Sequence, residues 1–336
     1  MPTLPDRPDL AQLRRQAKEL HRAARSGDTA AARRLCGVTR VTTLAAAQLV
    51  VAREYGFSSW PSLRSAVEAA RSTAMSPLMR DKARRAAVYG ASDMLSSARE
   101  RGWDPGVVPV GALFTSQTFI TRHLASQPEC YSESSTLRPA NGTVYLTTTG
   151  PPVAVACLGL GAPAPVALLE HLAALGVDSF IAVGPAPAVS SDLRWGDCVV
   201  LDRALRDDGV SCHYLPPARY ASADAMLTAQ LRAAAKGAGL DPWCGPSWTV
   251  STPYRTTAEE LAAYRDEGVL VTDMVSAAVF AVASALGCRA ASAVVTTTPV
   301  DARGHTQATL TARPPGRLTA LLECVVALLQ AEAVAE

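Results

Sequence analysis

Charge is scarce in this chain: Asp, Glu, Lys and Arg make up 18% of its 336 residues, and aromatic residues only 5%. Hydrophobic residues, at 49%, supply ample material for a core, which excludes a disordered or fibrous chain. Long apolar runs are missing too. Runs such as those at residues 153–158 and 324–329 stop far short of the roughly 18 residues a membrane span needs, so no membrane partner is expected. Residues 1–30 are charged throughout with no apolar leader, and the chain reads as cytoplasmic. Eight cysteines are scattered without a CxxC pair. Cys212 adjoins His213, yet no further ligand stands at metal-site spacing. Reduced thiols are therefore expected, with no metal and no cofactor.

The small net charge of +2 hides an asymmetry: residues 1–100 carry +8 and the remainder −6. This points to two units. In the head, Leu10, Leu13, Ala17 and Leu20 recur at helical spacing until Gly27 and Asp28 stop the pattern. A second helical pattern begins at Leu44 and runs to Tyr55, and a third spans residues 61–71, with Pro61 in its first turn. The expected organisation is a basic helical module at 1–72, a linker and connecting helix at 73–106 with one helix over 81–99, and a body at 107–336. No nucleic-acid reading motif accompanies the arginines, so nucleic acid is not expected as a partner.

In the body, apolar runs at 108–114, 143–147, 153–158, 179–183, 197–201, 270–272 and 290–296 read as strands. Helical patterns fall at 165–175, 223–237, 258–267, 275–286 and 317–331. Such alternation predicts a largely parallel sheet covered on both faces, with βαβ units at 153–183 and 270–295. Gly159 and Gly161 lie between a strand and a helix, where backbone N–H groups can cradle an anion. Pro163 and Pro165 remove two of those donors, so a simple tight turn explains the glycines equally well.

Four further stretches carry most information: "LRWGD" at 193–197, "ALRDDGVSCHYLPP" at 204–217, "TPYRT" at 252–256 and "GVLVTDMVSAAVFAVA" at 268–283. In order and spacing they resemble the nucleoside phosphorylase and nucleosidase family, over roughly residues 107–331. The resemblance implies a three-layer α/β/α domain with a mixed, mostly parallel sheet. It also implies cleavage of an N-glycosidic bond with phosphate or water as acceptor, and a homo-oligomer, a dimer or trimer of dimers. The head, in turn, is similar to small helical modules found ahead of ankyrin-like domains.

Residue by residue, the family's working groups are replaced. Its ribose-gripping glutamate follows a methionine; here Met274 is followed by Val275, which accepts no hydrogen bond. Its acid at the departing base falls on Thr297, flanked by Thr296 and Thr298, with Asp301 past a proline. Its Arg-x-Gly-Thr phosphate grip reads Ala182, Val183, Gly184, Pro185, with Pro187 where a second glycine stands. Catalytic candidates are thus Thr296, Thr297 and Asp301. Binding candidates are Gly159, Gly161, Gly184, Arg206, His213 and Tyr214, then Thr252, Tyr254, Arg255, Met274, Val275 and Thr298. His213 and Tyr214 also suit a subunit edge, and Trp243 and Trp248 suit core or interface. No GxSxG elbow or Cys–His couple suggests a covalent nucleophile. Three readings stand: an enzyme with a remodelled site acting on a nucleoside-like or other small cyclic or heteroaromatic molecule by cyclisation, elimination or isomerisation; a nucleosidase using non-standard residues; and a non-catalytic nucleoside sensor or scaffold.

Overall fold

The computed structural model describes residues 9–37, 42–75, 82–116, 118–139, 141–297 and 315–335. The chain divides into two compact units, residues 1–82 and 83–336. In the first, α1 (Leu10–Arg25), α2 (Thr29–Cys36), α3 (Leu44–Glu54) and α4 (Trp60–Met75) enclose their own apolar cluster around Ala17, Ala47, Leu63 and Val67. The start of α2 is set by Asp28, whose carboxylate accepts from the N–H groups of Ala30 and Ala31 at 2.8 and 3.2 Å. The residue read as a helix stop is thus also the cap of a short helix that the sequence pattern missed.

The expected helix over 81–99 is shorter in the structure. A 3₁₀ turn at Lys82–Arg84 precedes α5 (Ala91–Glu100), which begins where the extended Gly90 donates to the Asp93 carboxylate at 2.8 Å. The second unit continues through β1 (Gly111–Thr115), α6 (Thr118–Ala125), β2 (Tyr131–Glu133), β3 (Gly142–Thr147), β4 (Val153–Leu158), α7 (Pro163–Ala174) and β5 (Ser179–Pro187). Then follow β6 (Cys198–Asp207), β7 (Tyr220–Ser222), α8 (Ala225–Gly237), β8 (Trp243–Val250), α9 (Ala258–Asp266), β9 (Val271–Asp273), α10 (Ser276–Leu286), β10 (Arg289–Thr297) and α11 (Pro315–Ala335).

Among the described residues the strands form one sheet, ordered β2-β3-β4-β1-β5-β10-β6-β8-β9, with β7 beside β6. The pleat divides its side chains between two helical layers. Phe180, Val199, Ala290 and Val294 pack with α7 and α10, while Ile181, Val200, Ala291 and Val295 pack with α8 and α11. This is the three-layer α/β/α arrangement expected. The parallel pairs are β4·β1, β1·β5, β5·β10, β6·β8 and β8·β9; β10·β6 and β3·β4 are antiparallel. The reading of 153–183 as β-α-β therefore holds, with β1 inserted between the two strands. That of 270–295 as a parallel unit does not. Across the antiparallel β10·β6 junction, β9 and β10 run in opposite senses, and they are separated by β6 and β8.

The far edge folds back. Ala188, just after β5, pairs antiparallel with Val271 of β9, and the N–H groups of Val189 and Ser190 donate to the Leu270 carbonyl at 2.8 and 3.0 Å. Strands β5, β10, β6, β8 and β9 thereby close on themselves.

Gly142 tests the tight approach of β3 to β4. Its φ is +156°, and a Cβ there would lie 2.3 Å from the Cys157 carbonyl oxygen. Gly142→Ala is expected to lower stability by at least about 2 kcal/mol. Gly176→Ala, at φ +101° with no atom within 4 Å, should cost only about 1 kcal/mol. Urea midpoints of the two variants compare them directly, and equal losses would refute the steric account.

Candidate functional site

The site expected from the sequence lies where β5 and β10 end and α10 begins. Strand register sets Gly184 beside Val294, Ala186 beside Thr296 and Pro187 beside Thr297. Closure of the strand ring then carries β9, and with it the start of α10, to the end of β5.

The first turn of α10 is held by a network of small polar groups. Oδ1 of Asp273 accepts from the N–H groups of Val275 and Ser276 at 3.2 and 3.3 Å. Its Oδ2 accepts from the Ser247 hydroxyl at 3.2 Å. The Thr249 hydroxyl accepts from the N–H of Ala277 at 3.0 Å, and the hydroxyls of Ser276 and Ser292 lie 2.9 Å apart. These bonds engage the N–H groups of Val275, Ser276 and Ala277 at the start of an otherwise apolar, buried helix. Burial pushes the Asp273 carboxyl above the usual carboxylate range, against the opposing hydrogen bonds from Ser276, Thr249 and Val275. Met274 and Val275 follow directly and are partly buried.

Thr296 and Thr297, grouped by the sequence reading, point to opposite faces of β10. Thr296 is wholly consumed by the "LRWGD" turn. Its hydroxyl donates to the Arg194 carbonyl, its N–H donates to Asp197 at 2.8 Å, and its carbonyl accepts from Gly196 at 2.9 Å. Thr297 is 1% exposed, and its hydroxyl has no partner among the described residues. Thr298 and Asp301 lie outside the described residues.

Arg206 builds its own loop: it donates to the Ser211 hydroxyl at 3.0 Å and to the carbonyls of Pro216 and Leu215 at 2.6 and 3.0 Å. Asp208, 2% exposed, gathers the Val210 and Ser211 N–H groups at 2.7 and 2.6 Å. The 3₁₀ turn at Ser211–His213 that follows packs on α10. Burial, reinforced by Glu170 of α7, pushes the Tyr214 hydroxyl up to about 12, so the phenol stays neutral. Thr252, Tyr254 and Arg255 sit on an exposed turn after β8, with Tyr254 86% exposed. Gly159 and Gly161 lie in the loop before α7, whose first helical residue is Pro163. Trp248 is core: its indole N–H donates to Asp207 at 3.1 Å and its ring meets Tyr264 edge-on at 4.7 Å.

Sequence reasoning missed Ser247, Thr249, Ser276 and Ser292, and set Asp273 aside. One signal was available: Asp273 and Ser276 stand three apart before an apolar run, as capping residues do. These four hydroxyls are buried and spent on the helix start, so the wall that results is largely apolar. At the matched positions it supplies neither a guanidinium nor a carboxylate for a ligand. Among the described residues no cluster of His, Cys, Asp or Glu has metal-binding geometry, and no helix is long and apolar enough to cross a membrane.

A raised carboxyl value means the folded state holds a proton that the unfolded chain has released. Asp273 therefore costs stability as pH rises from the ordinary carboxylate range through the raised value. Asp273→Asn keeps an acceptor for the helix and carries no charge. It should gain on wild type as pH rises from about 4 to about 7. Asp273→Ala, which strips the cap, should lose about 1–2 kcal/mol throughout. Urea denaturation across this range checks both, and a wild type that gains on Asp273→Asn with rising pH would overturn the assignment.

Residues 115–321, more than half of the chain, match the Phosphorylase superfamily. Uridine phosphorylase of Haemophilus influenzae is 32% identical over 155 residues, 42% of this chain and 62% of that protein. Uridine phosphorylase of Thermococcus kodakarensis is 35% identical over 100 residues, covering 29% and 36% of the two chains. Guanosine phosphorylase of Halorubrum lacusprofundi is 28% identical over 141 residues, covering 42% and 58%. The alignments thus span less than two thirds of each of these relatives. Fold, strand-end motifs and matched length agree, and the chain belongs to the Phosphorylase superfamily, with the nucleoside phosphorylase fold.

Proposed function

We propose that this chain acts on a nucleoside-like or other small cyclic or heteroaromatic molecule, at the junction of β5, β10 and α10, without phosphate as co-substrate. The observation that carries the reading is the neutral wall there. Val275 takes the family's glutamate position on a rigidly capped helix, and Ala182, Pro185 and Pro187 take the phosphate positions. A phosphate brought to that wall meets no guanidinium at the matched position, and the prolines offer no N–H. A flat, weakly polar ring remains a good occupant. The relatives are named for uridine and guanosine, which motivates the substrate class. The fitting chemistry is cyclisation, elimination or isomerisation rather than phosphorolysis, carried out by a homo-oligomer. A second reading, binding without turnover, draws support from Asp273, whose two oxygens are both engaged within the protein.

Incubation with adenosine, inosine, uridine and methylthioadenosine, with and without phosphate, should yield no phosphate-dependent free base, while at least one raises the melting temperature. Val275→Glu supplies the missing acceptor for ribose hydroxyls and is expected to tighten nucleoside binding by about 10-fold. Phosphate-dependent release of base by the wild type would refute the proposal; turnover of a panel member without phosphate would decide against pure binding.

A further inference from the structure

A cavity lies away from this junction, built in part by chain that precedes the superfamily match. Between α5 and α7 is a space of about 520 Å³, within the roughly 300–1,000 Å³ typical of small-molecule pockets. Met94 and Leu95 of α5, Trp103 just beyond it, Leu137 after β2 and Leu168 of α7 give it a mostly apolar wall. One side is fixed by hydrogen bonds. The Ser134 hydroxyl accepts from the Leu137 N–H at 3.0 Å, and the Thr136 hydroxyl donates to the Pro105 carbonyl at 2.7 Å.

The charge in this lining has one sign. Arg101 and Arg138 are present, with His171 as a further nitrogen donor, and no Asp or Glu lines the space. Arg101 donates once, to the Ser97 hydroxyl at 2.6 Å. Its other N–H groups, and the whole Arg138 guanidinium, have no partner among the described residues. Two uncommitted guanidinium groups at the rim of an apolar pocket match one ligand chemistry. A carboxylate takes their N–H groups in charge-assisted pairs, while an attached hydrocarbon or aryl body buries against Leu137 and Leu168. A cation would be repelled there.

We propose that this cavity binds a small organic monocarboxylate with an apolar body, at a site separate from the junction of β5, β10 and α10. Decanoate, 2-naphthoate and decanol serve as probes for calorimetry and thermal melting of the full chain. At least one of the two carboxylates should bind saturably at one per chain and raise the melting temperature, with decanol at least about 10-fold weaker than decanoate where decanoate is the binder. Arg138→Ala alters an exposed side chain and should leave folding intact while weakening carboxylate binding about 5- to 10-fold. Ala98→Phe, which fills the space from α5, should abolish binding; should it fail to fold, Arg101→Ala supplies the second comparison with the same direction as Arg138→Ala. Equal binding of decanol and decanoate, indifference to both arginine substitutions, or no binding of either carboxylate at millimolar concentration would each overturn the proposal.

Discussion

The pairing of Ala188 with Val271 is the constraint on which the functional end of this molecule depends. In the strand order, β9 is the last member of the sheet, three strands removed from β5 beyond β10, β6 and β8. An open edge there would leave a row of unpaired N–H and carbonyl groups. Turning the edge back pairs Val271 with Ala188, engages the Leu270 carbonyl and brings the α10 N-terminus to the end of β5. Two further features hold the closure. Nε of Arg265 on α9 donates to the Val189 carbonyl at 2.8 Å, and Val189 is buried with Leu205, Trp248, Val250, Leu261 and Val269. A fully buried indole at this point fixes the curvature through packing that smaller side chains would not supply.

Closure creates an electrostatic demand. From Ser276 to Ala283 every residue of α10 is buried, so its first N–H groups have no water to turn to. Asp273 and Thr249 meet the demand from β9 and β8, whose register sets them side by side. Ser276 and Ser292 pair between helix and sheet. The hydroxyl-rich character of this region thus belongs first to the helix cap. It also makes the segment bearing Met274 and Val275 a rigid wall, because every polar bond beside it is committed inside the protein.

Much of this was legible in the sequence, and the reasons are specific. Residues 153–158 read as a strand because β4 is buried on both faces, so its code is an unbroken apolar run. Strand β8 was invisible because Gly245, Pro246, Ser247 and Thr249 break that pattern. Two of them are there for the α10 network, which only the three-dimensional pairing explains. The short α2 escaped for a similar reason, since eight residues carry barely two turns of periodicity. At the site, the resemblance pointed to Ala182, Val275 and Thr297, the positions on which the proposed function rests. The separation of Thr296 from Thr297 was not grasped, although strand pleating demands it, because the motif was read as a cluster rather than as alternating faces.

The neutral residues at these positions also suit what surrounds them. Ala182 is 5% exposed and lies level with Phe114 on one side and Ser292 on the other. A guanidinium there would be desolvated beside an aromatic ring and a serine already paired with Ser276. Thr297 shares its face of the sheet with Ala293 and Val295, where an ionised carboxylate would likewise be buried without a partner. Had only one of the family's charged groups been replaced, the remaining ones would stand uncompensated against a ligand lacking their counterpart. With Ala182, Val275 and Thr297 all uncharged, no such imbalance arises, and the wall is consistent as an apolar surface. On the proposed function, recognition at such a surface rests on shape rather than on charge.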